Sequence, residues 1–479
     1  MKNTFYITTT LPYVNADPHL GHALEFVHAD IIARYKRLLG QEVFFNIGTD
    51  EHGQKILEKA VLEGKGPQEH ADHYAARFRQ FADMLAISYT NFIRTTDAHH
   101  KAAAEEFWKR CEAQGDIYKK LYTVKYCVGC ELEKSDSELL EGRCPIHPGT
   151  EIQLREEENY FFRFSKYQER LLKLYGDNPD FILPSTRRTE ITKFVQRGLQ
   201  DFSISRLKEK MAWGIGVPGD EEHVMYVWFD ALVNYVSAIG WPDDQEKFEK
   251  WWPVVQMAGK DNLRQQAAMW QAMLMSANLP PSKQIIIHGF ITSGGKKMSK
   301  SVGNVVSPTD IVKEYGVDAL RYYLAREITP FEDGDFTEEH FKEVYNANLA
   351  NGLGNLTSRI MKMATSYDIK ATEDTRALTL EGLYPQPHTD EYLENFQIDR
   401  AMDEIWTKGV QNLDSYIQRE QPFKKIKEDK VGAKKDIEYL LHHLRGIALR
   451  LYPFMPETAK KIDDAVMNHL MPEPLFLRK

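Results

Sequence analysis

Hydrophobic positions change period twice within the first forty-five residues. Residues 5–10, Phe-Tyr-Ile-Thr-Thr-Thr, are a β-branched and aromatic run that predicts a strand. Pro12, Asn15, Asp17 and Pro18 then mark a loop. From His19 the step becomes helical: Leu20, Leu24, Val27, Ile31, Tyr35 and Leu38 recur at three and four, and Gly40 ends the run. Val43-Phe44-Phe45 predicts the next strand. Strand, helix, strand is the unit of a doubly wound α/β sheet, which binds nucleotides at the ends of its strands. The rhythm breaks at residues 118–152, is mixed over 153–225, and returns at Val224-Met225-Tyr226-Val227-Trp228 and Gln284-Ile285-Ile286-Ile287-His288. The simplest reading is one Rossmann-type domain interrupted by an insertion. From residue 339 the pattern is helical, with amphipathic runs at 341–366, 402–419 and 437–455 that predict an all-α bundle. The expected segments are 1–117 and 224–338 for the two halves of the α/β domain, 118–223 for the insertion, 339–470 for the bundle and 471–479 for a tail.

A length of 479 residues exceeds one ordinary core and fits this multidomain division. The sequence holds no apolar run of membrane-spanning length and no secretory start, so a cytoplasmic protein with no membrane partner is expected. The net charge of −9 argues against a dedicated polyanion binder, but local basic patches are what steer a polyanion.

The chain lacks the GxxxxGK[ST] phosphate loop and offers two other candidates. His19-Leu20-Gly21-His22 opens the first predicted helix, where unpaired N–H groups and the dipole favour an anion. Its two imidazoles, at i and i+3, share one face and can donate to phosphate oxygens. Gly21 lets a flat base or ribose approach the backbone. Lys297-Met298-Ser299-Lys300-Ser301 follows Gly294 and Gly295 and could close over a leaving pyrophosphate. Taken singly, the first reads as well as surface histidines and the second as a solvated basic turn.

Cys127-x2-Cys130 and Cys144-x2-His147 form a CxxC…CxxH arrangement. Two tight turns could aim four N/S ligands at one ion, which predicts one structural Zn²⁺. Metal-free surface cysteines are the alternative. Cys111 reads as a buried helix residue.

The paired HxGH and KMSKS motifs, in this order and context, resemble the class I aminoacyl-tRNA synthetases. Thr10-Leu11-Pro12-Tyr13, Gly48-Thr49-Asp50-Glu51-His52-Gly53 and Tyr226-Val227-Trp228-Phe229-Asp230-Ala231 resemble the methionyl branch of that family over nearly the whole chain. The resemblance implies activation of L-methionine by ATP with Mg²⁺, then transfer to the 3′ end of tRNA(Met), initiator and elongator, through a CAU anticodon. It implies that His19, Gly21, His22, Gly259, Asp261, Lys297 and Lys300 handle ATP, with His19, His22, Lys297 and Lys300 catalytic. Leu11, Tyr13, Trp228, Ala231 and Tyr235 would line the side-chain pocket and Asp50 would pair with the ammonium. Many relatives place an apolar residue and then His after Gly-Lys-Asp; this chain has Asn262 and Gln266, and Gln266 can still hydrogen-bond in the pocket wall. Asn351, Asn355, Arg359 and Phe423 would read the anticodon from the bundle, and the tail would pack back on the core of a monomer. Without the resemblance these polar residues would read as a solvent face and the aromatics as core.

Two rivals stand beside this reading. One is a class I synthetase for another amino acid, chiefly cysteine; the zinc-binding Cys expected ahead of HxGH is missing from Thr8-Thr9-Thr10-Leu11-Pro12-Tyr13. The other is a synthetase-like protein that binds tRNA without charging it, which the two intact ATP motifs disfavour.

Overall fold

The computed structural model describes residues 3–127, 132–134, 139–145, 149, 151–297, 306–379 and 387–479. Its centre is a parallel sheet of six strands: β1 (Thr4–Thr8), β2 (Glu42–Thr49), β3 (Asn91–Arg94), β4 (Ile182–Leu183), β5 (Val255–Gly259) and β6 (Gln284–His288). The spatial order is β3-β2-β1-β5-β6-β4. All of β5 and nearly all of β1 and β2 are buried. Both faces of a parallel sheet are covered, which is why these strands read as continuous apolar runs and not as alternation. Strand order reverses between β1 and β5, which pair in parallel with Ile7 opposite Val255. The crevice beyond the carboxyl ends at such a reversal is where doubly wound sheets bind ligands. Here it is flanked by residues 9–13 and 259–262.

The segment between β3 and β5 builds a separate antiparallel sheet of four strands. Its spine is Ile117–Cys127 paired with Ile152–Phe162 over their full lengths. The same segment also returns β4 to the edge of the central sheet, Ile285 pairing with Ile182.

Helix α1 (Leu20–Leu38) lies under the sheet with nearly every residue buried. A single apolar cluster runs from Phe5 of β1 and Ile31 of α1 to Leu440 of the helical C-terminal region. A buried ion pair reinforces that junction. Arg321 of helix α2 (Val317–Arg326) is wholly inaccessible, as is Asp30. Its guanidinium donates to Asp30 Oδ2 at 2.8 Å, Leu85 O at 3.0 Å, Phe454 O at 2.8 Å and Pro453 O at 2.9 Å. Asp30 also accepts from Arg34 Nε at 2.7 Å and from Ser88 N–H and Oγ.

The described residues from 338 on are helical apart from their connections. Helix α3 (Asn355–Ser366) and the long helix α4 (Lys430–Leu451) pack together there. The helical phase is interrupted by π-helical turns at Tyr345–Gly354 and Ile405–Gln411. The C-terminal residues fold against the first of these: Tyr345 OH donates to Leu477 O at 2.8 Å, and Asn346 pairs twice with Lys479 at 2.9 Å. Mixed α/β architecture with a parallel sheet and a helical C-terminal region therefore agrees with the pattern of the sequence.

Candidate active site

The residue before α1 is an unusual cap. His19 Nδ1 accepts the Gly21 N–H at 3.0 Å, and His22 Nδ1 accepts the His19 N–H at 3.2 Å. This is a capping box made of two imidazoles, whose rings stack at 3.8 Å. A nitrogen that accepts carries no proton, so each neutral ring keeps Nε2–H as its donor. Burial, with the neighbouring His19 ring, holds the half-buried His22 well below the usual imidazole pKa. Two neutral donors at a helix N-terminus suit an incoming polyanion. Gly21 has a nearer purpose than making room for a base: a Cβ there would lie 2.9 Å from His19 Cε1 and displace the cap.

One turn further along α1 is Glu25, a buried carboxylate to which the sequence reading gave no role. Its Oε1 accepts Thr10 N–H at 2.5 Å and Thr10 Oγ at 2.7 Å; its Oε2 meets His288 Nε2 at 2.9 Å. His288 Nδ1 faces Gly289 O at 2.7 Å. With an oxygen at both nitrogens, His288 is placed to donate from each ring nitrogen. Burial opposes a charged ring, but the Glu25 carboxylate and the Gly289 carbonyl lift its pKa above the ordinary value. Three carboxyl ends thus meet at one point: β1 through Thr10, β6 through His288, and β5 through Gly259. A Cβ on Gly259 would sit 3.0 Å from Asp261 Oδ1 and 3.6 Å from His288 Cε1, so the bare glycine admits the Asp261 side chain.

His288 also roots the lysine hairpin. Ile291–Ser293 pairs antiparallel with Lys296–Lys297. The turn between them has φ +60 at Gly294 and +73 at Gly295. Positive φ at both central positions is what a primed hairpin turn demands. Asp335 Oδ1 pins the hairpin by accepting Thr292 Oγ at 2.6 Å and Gly295 N–H at 2.9 Å. Asp333 accepts Phe290 N–H at 2.9 Å and pairs with Lys260 at 2.6 Å. Lys297 is the last described residue of this hairpin; Lys300 lies outside the described residues. The His288–Glu25 bond ties the hairpin's stem to the histidine helix.

The expected methionine pocket lies across the reversal. Tyr13 bridges to Asp50 beyond the ends of β1 and β2, and its ring meets Trp228 edge-on at 6.3 Å. Leu11 and Trp228 are half-buried, while Ala231 and Tyr235 are buried. Gln266 sits on a π-helical turn, Gln265–Met269. Its amide donates to Tyr235 OH and accepts from Gln256 Nε2, both at 2.8 Å, which fixes Tyr235 from below. Asp50 and Asp230 are both buried in this region, at 3% and 0% exposure, and each has an Oδ1 with no hydrogen-bond partner. Asp230 Oδ2 meets His52 Nδ1 at 3.1 Å. Burial first, then the charge of Asp230, pushes Asp50 well above the usual carboxylate range. Asp230 lies inside the quoted Trp-Phe-Asp-Ala segment, but only its burial beside a second carboxylate marks it out.

Of the expected zinc ligands, Cys130 and His147 lie outside the described residues. Cys127 ends the long strand Ile117–Cys127. Cys144 is fully buried although Glu141, Gly142, Arg143 and Pro145 around it are exposed, and a bridge between Leu140 and Arg143 closes the turn before it. Cys111 is buried on its helix as expected, its thiol pushed up to about 12 by burial. Asn351 and Asn355 are exposed, Asn351 on the π-helical turn and Asn355 at the start of α3. Arg359 is half-buried and paired with Asp414 at 2.5 Å. Phe423 is exposed, with the Lys424 ammonium 5.9 Å from its ring centre.

The profile of tRNA synthetases class I (M) matches residues 5–151 and 135–361. A methionine–tRNA ligase of Thermosynechococcus vestitus is 42% identical, over 96% of this chain and 90% of its own. One of Thermotoga maritima is 41% identical, over 96% of this chain and 74% of its own. The methionyl-tRNA synthetase of Mycobacterium tuberculosis, solved in complex with methionyl-adenylate, superimposes with a TM-score of 0.87 at 39% identity, covering 97% of this chain and 94% of that one.

Proposed function

The chain belongs to the methionine–tRNA ligases, a family of class I aminoacyl-tRNA synthetases, and from that premise we propose how its residues divide the work. The enzyme activates L-methionine with ATP to methionyl-adenylate, releasing pyrophosphate, and transfers the methionyl group to tRNA. The cysteine and non-charging alternatives drop out with that assignment.

The chemistry needs no protein nucleophile. The methionine carboxylate attacks the α-phosphorus of ATP in line with the departing pyrophosphate, and catalysis is alignment plus stabilisation of charge on phosphate oxygens. His19 and His22 donate Nε2–H to those oxygens. Their capping box fixes both rings before substrate arrives, so little reorganisation is left for the reaction. Lys297, on a hairpin whose stem is rooted through His288 and Asp335, and Lys300 bring positive charge to the leaving pyrophosphate. Mg²⁺ bound with ATP would supply neutralisation of phosphate charge. Gly21, Gly259 and Asp261 hold the nucleoside. Leu11, Tyr13, Trp228, Ala231 and Tyr235 surround the thioether, which packs well on aromatic rings. Gln266 orients Tyr235, and Asp50 takes the ammonium. The observation that carries this division is the Glu25–His288 bond, which joins the histidine helix to the root of the lysine hairpin.

The finer assignments rest on the same reading. Segments 1–117 and 224–338 form the catalytic domain, 118–223 the insertion, 339–470 the anticodon bundle and 471–479 the returning tail. Cys127, Cys130, Cys144 and His147 bind one structural zinc, for which a buried thiol on an otherwise exposed turn is the support. Asn351, Asn355, Arg359 and Phe423 read the CAU anticodon of initiator and elongator tRNA(Met), Arg359 exchanging Asp414 for a base. We read the enzyme as a monomer in the cytoplasm; among the described residues no helix is long and apolar enough to cross a membrane.

Charging of purified CAU-anticodon tRNA, together with methionine-dependent pyrophosphate exchange, tests the assignment. His22→Ala and Lys300→Ala each lower adenylation by about 100- to 1000-fold, the range for one lost transition-state donor, with unchanged melting. Full activity in either variant would overturn the role of that residue.

A further inference from the structure

Asp50 and Asp230 pose a problem for the empty enzyme. They approach the pocket from different elements, Asp50 just beyond β2 and Asp230 on the short helix Val227–Leu232. Both are buried, and the Oδ1 of each lacks a hydrogen-bond partner. Two such carboxylates cannot both ionise cheaply, since each charge is desolvated and the charge of Asp230 opposes that of Asp50.

The surroundings do not relieve them. Asp50 faces Glu51, Asp230 and the Tyr13 phenol, and its one counterweight is the His52 backbone N–H. Glu51 is already consumed by Arg94, at 2.7 and 2.8 Å, and by Thr49 and Thr96. Asp230 faces His52 and, more distantly, Lys101. His52 itself is hemmed by the Trp213 ring and His100, and Tyr226 adds its phenol beside Tyr13. Among the described residues, His52 is the one ion-pair contact to either carboxylate, and it meets Asp230 alone. Two unpartnered, desolvated oxygens next to Tyr13 and Trp228 match a ligand group that brings several N–H donors and a positive charge.

We propose that Asp230 is a second carboxylate of the ammonium subsite, that it shares one proton with Asp50 in the substrate-free enzyme, and that methionine binding expels this proton to solvent. The proposal rests on the reading that Asp50 meets the methionine ammonium. No covalent bond of the substrate changes; the ammonium replaces the shared proton as the pair's counter-charge. The upward displacement of both carboxyl pKa values agrees with a retained proton. Because binding releases a proton, affinity for methionine rises with pH through the pair's titration, by up to about tenfold per pH unit.

Titration calorimetry of the wild-type enzyme with L-methionine near neutral pH, in phosphate and in Tris, reads the proton count from the dependence of the heat on buffer ionisation enthalpy. We expect close to one proton released per methionine. In Asp230→Asn the repulsion is gone and burial still opposes the Asp50 charge, so the count falls below the wild-type value while methionine still binds, more weakly. Heat that is independent of buffer in the wild type overturns the proposal, and so does a wild-type proton count in Asp230→Asn. The wild-type buffer series decides alone if the variant fails to fold. Absence of both binding heat and methionine-dependent pyrophosphate exchange would instead sink the methionine reading itself.

Discussion

Asp30 and Asp50 are both buried carboxylates near the catalytic sheet, and the protein treats them in opposite ways. Asp30 receives two guanidiniums and the N–H and hydroxyl of Ser88. Burial opposes its charge, but Arg321 and Arg34 outweigh that and hold it below the usual carboxylate range. Its partner Arg321 spends donors on backbone carbonyls of residues 85, 453 and 454. The cluster has no vacancy for a ligand, and it ties the histidine helix to the C-terminal helices. Asp50 has a second carboxylate for its neighbour and an oxygen with no hydrogen-bond partner. The difference teaches how to tell a structural ionic cluster from a binding one. Complete pairing marks the joint, and an unanswered charge marks the place where, on the proposed reading, substrate completes the pairing.

Breaking the joint has the largest effect on stability. Arg321→Met leaves Asp30 with fewer partners in a desolvated site and removes the tie to residues 453 and 454. Removing one member of a buried pair costs about 3–5 kcal/mol, to be read as a lowered urea midpoint. An unchanged midpoint would erase the distinction between the two clusters. Asp50→Asn has the opposite signature. It relieves a buried repulsion, so stability holds or rises by about 1 kcal/mol, while methionine binding loses about 2–5 kcal/mol from the missing charge partner. Melting and pyrophosphate exchange on one preparation separate the two quantities.

The smallest effect comes from a third cluster that combines both characters. His288 is fully paired, as in the joint, yet lies at the catalytic crevice. Its pKa is raised on folding, so its stabilisation is complete below the ordinary imidazole value of about 6.5 and is lost as pH rises through the elevated folded value. Melting temperature followed across that window should fall in the wild type. In Glu25→Gln the window should narrow, because the carboxylate that lifts His288 is gone. An equally wide fall in the variant would assign the titration to another group.

Much of this was legible from the chain. The strand–helix–strand rhythm of residues 5–45 placed β1, α1 and β2, because apolar period reports burial directly. HxGH and KMSKS were visible because each is a contiguous run of residues. Less was legible where neighbours in space are distant in sequence. Glu25 looks like one polar residue on an apolar helix until His288 arrives from 263 positions away. Asp230 has no role in the linear reading, since nothing local shows that it is buried with an unpartnered oxygen and that its charge acts on Asp50. The edge strand β4 is two residues long and gave no periodic signal at all.

The sequence by itself determined the mixed α/β architecture with its helical C-terminal region and the family, since hydrophobic period and contiguous motifs survive as one-dimensional patterns. Only the tertiary structure decided which charges are answered. It showed the imidazoles capping their own helix, the hairpin rooted on Glu25, the saturated joint at Arg321, and two buried carboxylates each left with an unpartnered oxygen. Desolvation and pairing depend on what packs against a group, and packing brings together residues that the linear order keeps apart.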